Sequence, residues 1–87
     1  MWRIEWDEQA VEEARKLDRT ALKRIIRYLE ERIAPSENPR DFGKPLRGAK
    51  LGVWRYRVGD YRILCKIEDE KVTVLIISVG HRKNVYD

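Results

Sequence analysis

Apolar residues recur along the chain at two different periods, and the switch between them separates a helical first half from a strand-rich second half. Trp2, Ile4 and Trp6 alternate with Arg3 and Glu5, the period of a short strand. Ala10, Val11, Ala14 and Leu17 then follow helical spacing. Asp7 is placed to cap that helix, and Glu8, Glu12 and Glu13 are biased toward its first turns, where the helix dipole favours acids. Leu22, Ile25, Ile26, Leu29 and Ile33 form one continuous stripe at i, i+3, i+4, i+7 and i+11, a second amphipathic helix. It should stop before Pro35, because the residue ahead of a proline disfavours the helical region. The two helices are expected to fold back on each other around Leu17 to Thr20.

All three prolines fall between 35 and 45, in PSENPRDFGKPLRG, which reads as a loop rather than a domain linker. Beyond it lie three strand signals, about Gly52–Val58, Tyr61–Glu68 and Val72–Val79. Gly59-Asp60 joins the first pair and Asp69-Glu70-Lys71 the second. The order β-α-α-β-β-β predicts an α+β fold: a small, largely antiparallel sheet with a two-helix hairpin packed on one side. With 87 residues there is room for one modest core, so residues 1–87 are expected to form a single domain.

The first hairpin, VWRYRVGDYR, poses a charge problem. If Gly59-Asp60 is a two-residue turn, Val58 sits opposite Tyr61, Arg57 opposite Arg62 and Tyr56 opposite Ile63. Trp54, Tyr56, Val58, Tyr61, Ile63 and Cys65 then share one apolar face, while Arg55, Arg57 and Arg62 share the other. The apolar set fixes this register, since a one-residue slip would bury the arginines. Two cations about 5 Å apart near a protein surface repel by about 3 kcal/mol at an effective dielectric of 20, before salt screening. The fold gains nothing from that unless an anion lies over the face. The alternative is that Glu68, Asp69 or an acid of the tail pairs with these arginines.

Composition sharpens the same point. Charged residues make up 39% of the chain, enough to raise disorder, but the clear periodicities argue for a folded domain. Residues 1–34 hold eight Lys/Arg and eight Asp/Glu, whereas residues 35–87 hold eleven and seven, so the net charge of +4 sits in the second half. Between Gly43 and Lys66, seven basic residues (Lys44, Arg47, Lys50, Arg55, Arg57, Arg62 and Lys66) face one acid, Asp60. That concentration points to a polyanion, nucleic acid first, or else to a solvated face. The single cysteine, Cys65, excludes an intramolecular disulfide and a multi-cysteine metal site. No stretch resembles a signal peptide or a membrane span, so a reducing cytoplasm is the expected location and no membrane partner is expected. The tail, SVGHRKNVY, adds the only histidine, His81, beside Arg82 and Lys83, with Tyr86 near the end.

The markers KPLRG, WRYRVGDYRI and SVGHRKNVY, in that order, resemble the RelE toxins of the RelE/ParE superfamily, found in bacterial and archaeal type II toxin–antitoxin systems. With the upstream strand and helix pair, the resemblance covers nearly the whole chain. It implies a ribosome-dependent endoribonuclease that cuts messenger RNA in the A site, held inactive by a RelB-like antitoxin. It further implies metal-independent chemistry without a cofactor, in which the ribose 2′-OH attacks the adjacent phosphate. On that resemblance Arg55, Arg57, Arg62, Arg82 and Tyr86 occupy catalytic positions, with His81 beside them. Lys44, Arg47, Lys50, Lys66 and Lys83 would contact RNA or the ribosome.

Those residue types suit the chemistry. Guanidiniums aimed at a phosphorane stabilise its added negative charge, and their planar fork matches phosphate oxygens. The chain departs from the best-known members in carrying Arg55 and Arg57 where they carry lysines. An arginine stays protonated and is a poor general base. The resemblance and this departure together assign acceptance of the 2′-OH proton to His81 or Tyr86, with Arg82 or His81 assisting the leaving oxygen. Three other readings stand beside this one: a ParE-like gyrase inhibitor, a non-cleaving basic module that binds RNA or the ribosome, and a degenerate toxin that only binds its antitoxin.

Overall fold

The computed structural model describes residues 1–47 and 52–83. Strand β1 (Arg3–Trp6) leads into helix α1 (Glu8–Arg15), whose first turn is capped by Asp7, its carboxylate accepting the Ala10 N–H at 2.8 Å. Asp18 repeats the device for α2 (Arg19–Tyr28), accepting the Ala21 N–H at 3.1 Å. Such caps are worth about 0.5–2 kcal/mol each. The chain between the two caps supplies the expected helical hairpin.

Helix α2 runs into a π turn over Leu29–Ile33, where Ala34 N–H reaches back to the Leu29 carbonyl at 2.8 Å. The wider turn carries the row of buried side chains at Ala21, Ile25 and Leu29 one step further, to Ile33. In an undistorted α-helix a spacing of four drifts around the axis, and the π turn offsets part of that drift. The stripe expected from sequence is therefore partly wrong: Ile26 faces out, 37% exposed, and Leu22 is only half-buried. The helical run ends ahead of Pro35, as its proline requires.

A 3-10 turn over Pro39–Phe42 and a two-residue strand β2 (Lys44–Pro45) occupy the proline-rich loop. Strands β3 (Val53–Val58), β4 (Tyr61–Glu68) and β5 (Thr73–His81) follow, and the sheet order is β1-β5-β4-β3-β2. Only β1 runs parallel to its neighbour, β5; the remaining pairs are antiparallel. Neither that parallel pair nor β2 is visible in local sequence periodicity, because both depend on distant partners.

Both helices pack on one face of the sheet. Ala10, Ala14, Ile25, Leu29 and Ile33 meet Tyr56, Val58, Ile63, Cys65, Val74, Ile76 and Val79 there, with Trp54 and Tyr61 at the margin. Burial raises the Tyr56 phenol, whose hydroxyl donates to the Pro39 carbonyl at 2.8 Å, and pushes the Cys65 thiol up to about 12. The opposite face is not wholly polar. Leu46, Val53 and Leu64 are buried there with Ile77 packed against them, so that apolar cluster and the arginines divide the open face between them.

Candidate active site

The hairpin register is the one the alternation predicts, with Val58 opposite Tyr61, Arg57 opposite Arg62 and Tyr56 opposite Ile63. Gly59 takes φ 59° at the first turn position, which suits a type II′ connection and favours glycine. Arg62 in turn pairs with Gly80 of β5, so the row Arg57–Arg62–Gly80 crosses three strands. Gly80 brings no side chain to that row, which leaves room beside the guanidinium of Arg62. A second row is Lys44–Arg55–Leu64. The Arg82 N–H donates to the Asp60 carbonyl at 2.7 Å, tying the start of the tail to the hairpin tip. Arg57, Arg62 and the backbone of Arg82 are thereby held at one end of the sheet.

These arginines differ in environment. Arg57 is exposed and Arg55 half-buried, but Arg62 is only 7% exposed. Its Nη1 donates to the carbonyls of Tyr61 at 3.2 Å and Gly59 at 3.4 Å. A buried cation needs such bonds, since desolvation otherwise costs several kcal/mol. Asp69, one of the acids that could have balanced the hairpin, is held instead by Arg40 through bonds of 2.9 and 2.7 Å. That hydrogen bond keeps the Asp69 carboxyl below its ordinary value. Glu68 ends β4 at the opposite end of the strand from Arg62.

His81 is not brought onto the arginine face. It pairs in register with Tyr61 and meets that ring edge-on, centroids 5.5 Å apart at 76°, on the side that carries the helices. Glu13, Lys16 and Asp18 line the same depression. Its Nδ1 accepts the Lys83 N–H at 3.3 Å, so a neutral ring in this position carries its proton on Nε2. Lys44, Arg47, Arg82 and Lys83 are exposed. Lys66 is also exposed but lies toward the far end of β4, opposite Val53. Lys50 and Tyr86 lie outside the described residues. Among the described residues no three His, Cys, Asp or Glu side chains converge as a metal site would.

The family model described as the ParE toxin of type II toxin–antitoxin systems, parDE, matches residues 4–86. The chain belongs to this toxin family. Within it, the relatives are RelE-type: the mRNA interferase toxin RelE of Escherichia coli is 36% identical over 84 residues, 92% of this chain and 82% of that one. Toxin RelG of Mycobacterium tuberculosis is 45% identical over 51 residues, a match spanning 59% of each chain. The toxin–antitoxin complex RelBE2 of Mycobacterium tuberculosis has the same fold, with a TM-score of 0.84 at 31% identity over 95% of this chain and 93% of that one.

Two features of the toxin escape sequence reasoning. Phe42 is 41% exposed and lines a groove with Asp41, Lys44, Arg55 and Arg57, an aromatic surface beside cations. Its placement follows from Gly43, where any Cβ would collide with the Arg55 carbonyl and the rings of Tyr56 and Trp54. The second feature is Glu13. A bulge between Leu64 and Cys65 in the β4–β5 register leaves one extra residue, Ile77, in β5. Glu13 Oε1 accepts both the Val79 N–H at 2.9 Å and the Ser78 hydroxyl at 2.8 Å, so α1 holds the strand where its ladder breaks. An acid on a helix gives no sign of this in sequence, because its partners lie in β5.

Proposed function

We propose that this toxin is a ribosome-dependent endoribonuclease that cleaves messenger RNA in the A site and is neutralised by a RelB-like antitoxin. The observation that carries the reading is the row Arg57–Arg62–Gly80 with Arg82 tied to the hairpin tip by its bond to Asp60. The row gathers fixed positive charge at one end of a rigid sheet, the requirement for stabilising a phosphorane. The naming of the Escherichia coli relative as an mRNA interferase and the antitoxin in the RelBE2 complex support the same assignment.

In the reaction the ribose 2′-oxygen attacks the adjacent phosphorus, the bond to the 5′-oxygen breaks, and a 2′,3′-cyclic phosphate and a 5′-hydroxyl form. The 2′-OH proton leaves to a base, and a proton is delivered to the 5′-oxygen. Arg62, with part of its donor set occupied by turn carbonyls, supplies fixed charge, and exposed Arg57 and Arg82 close on the phosphate. Arg55, Lys44 and Phe42 border the groove that takes the neighbouring nucleotide, where the ring offers a stacking surface. The tail carries the proton transfers. His81 packs on Tyr61 across the sheet from the arginines, so Tyr86 is the candidate acceptor and Arg82, tied to the hairpin tip, is the candidate to assist the leaving oxygen. No metal is required in this scheme.

Purified toxin acting on a programmed ribosome, with cuts mapped by primer extension, tests the proposal. Discrete A-site cuts are expected, unchanged by prior dialysis of the toxin alone against a chelator. Equal cleavage by wild type and the Arg62→Ala, Arg82→Ala double variant would overturn it. Stalling without cuts would make the protein a binding module, and double-strand DNA breaks at gyrase would assign it to the ParE activity. Full cleavage rates in both His81→Gln and Tyr86→Phe would remove the tail from proton transfer.

A further inference from the structure

The helical hairpin is electrically divided in a way that whole-segment charge conceals. Helix α1 carries Glu8, Glu12 and Glu13 against Arg15, while α2 carries Arg19, Lys23, Arg24 and Arg27 and no acid. All four cations of α2 are exposed. Arg19, Lys23 and Arg27 lie at i, i+4 and i+8, a row rising about 6 Å per step along the outer side of the helix. Among the described residues the one ion pair along this row joins Arg27 to Glu31 at 3.7 Å, both largely exposed, and such pairs contribute little.

Folding does not call for this arrangement. Cations in the first half of a helix oppose its dipole, and like charges four apart repel. The row is also continuous with the arginine end of the sheet. A Cβ on Gly59 would lie 3.1 Å from Arg24 Nη2, so the Arg24 guanidinium sits over the same hairpin tip whose carbonyls receive Arg62. Positive charge therefore runs from the open face of the sheet, around the tip and onto α2.

We propose that this outer face of α2 is a second RNA-binding surface, which grips the sugar-phosphate backbone of structured RNA while the sheet face engages the message. The inference rests on the ribonuclease reading for the identity of the RNA-bearing particle, the ribosome. The chemistry of the face favours RNA over a protein partner. Its exposed residues are Arg19, Thr20, Lys23, Arg24 and Arg27 with one large apolar side chain, Ile26, whereas protein interfaces centre on several apolar and aromatic anchors. A row of guanidinium and ammonium groups at regular spacing fits a polyphosphate and reads no sequence.

The test compares wild type with Arg19→Ala, Lys23→Ala, Arg27→Ala combined, using purified ribosomes as the probe. Co-sedimentation measures binding across a salt series, and single-turnover cleavage at varied ribosome concentration separates half-saturation from maximal rate. The variant should need roughly tenfold more ribosome for half-saturation and keep its maximal rate. Its log affinity against log salt should flatten by about three, one per lost phosphate contact. The Arg19→Lys, Arg27→Lys variant, which keeps the charge, should restore the slope. Unchanged affinity and slope in a folded variant would overturn the inference, as would loss of affinity for the antitoxin with ribosome binding intact. If wild type binds ribosomes without cutting, the salt series still decides the docking surface while the ribonuclease reading fails, so the two outcomes stay distinct.

Discussion

The two faces of the sheet solve opposite problems with the same strands. Trp54, Tyr56 and Val58 alternate with Arg55 and Arg57 along β3, so each residue step moves from an apolar, helix-covered layer to an open, cationic one. On the covered face polar atoms are few: Tyr56 donates to Pro39, Glu13 takes up the amide freed at the β5 bulge, and the buried Trp54 indole N–H makes no hydrogen bond among the described residues. On the open face, Arg57 and Arg62 are set directly opposite each other, an arrangement unfavourable in a sheet. The difference teaches where the fold's stability is made and where it is spent. Packing on one face supplies the rigidity that holds like charges together on the other.

The largest effect should come from Arg62, because it belongs to both accounts. Arg62→Ala is expected to lower message cleavage by about 10²–10³-fold, the usual cost of a missing oxyanion-type donor. It should also destabilise the fold by about 1–3 kcal/mol, since the Tyr61 and Gly59 carbonyls lose their buried donor. Arg57→Ala, on an exposed neighbour, should lower cleavage while its melting temperature stays near wild type. Parallel melts and single-turnover rates read both quantities. Equal stability losses in the two variants would break the distinction drawn between them.

On the covered face the expected pattern reverses. Tyr56→Phe leaves the Pro39 carbonyl without its donor in a buried setting, at a cost of about 1–3 kcal/mol. Gly43→Ala forces β3 or the 3-10 turn to shift away from a Cβ, and overpacking of this kind costs about 1–3 kcal/mol. Urea midpoints should fall in both with little change in slope. Tyr56→Phe should keep its cleavage rate per folded molecule. Glu13→Gln should cost less, about 1 kcal/mol, because the amide oxygen still accepts from Val79 and Ser78 but without charge assistance.

Much of this division was legible in sequence, and the failures have physical causes. The hairpin register follows from a period-two pattern that only one alignment can bury, and Asp7 follows from its place ahead of a helical run. The burial of Arg62 does not follow from pattern, because its guanidinium folds back onto the carbonyls of Gly59 and Tyr61, which the alternation does not reveal. His81 falls near Arg82 in sequence, yet one residue step along an extended strand changes its face, and it packs on Tyr61 instead. The charge of α2 was hidden by averaging it with α1. Ile26 faces outward because the buried side of the helix follows Ala21, Ile25, Leu29 and Ile33, and the π turn that keeps Ile33 in that row is not visible in simple helical periodicity.

The smallest expected effect lies at the rim, far from the arginine cluster, and separates a structural ion pair from a functional cation. Arg40 donates two hydrogen bonds to Asp69 and holds its carboxyl below the ordinary value of 3.8. A carboxyl depressed in the folded state stabilises the fold above its unfolded value and loses that contribution as pH falls through the folded one. The difference in denaturation midpoint between wild type and Arg40→Ala should therefore be constant at neutral pH and shrink on acidification through the carboxylate range. Both side chains are substantially exposed, so solvent screening keeps the difference small. Cleavage rates should not separate the two proteins at any pH at which both are folded. A pH-independent stability difference would show that Arg40 acts through packing of its stem rather than through its bond to Asp69.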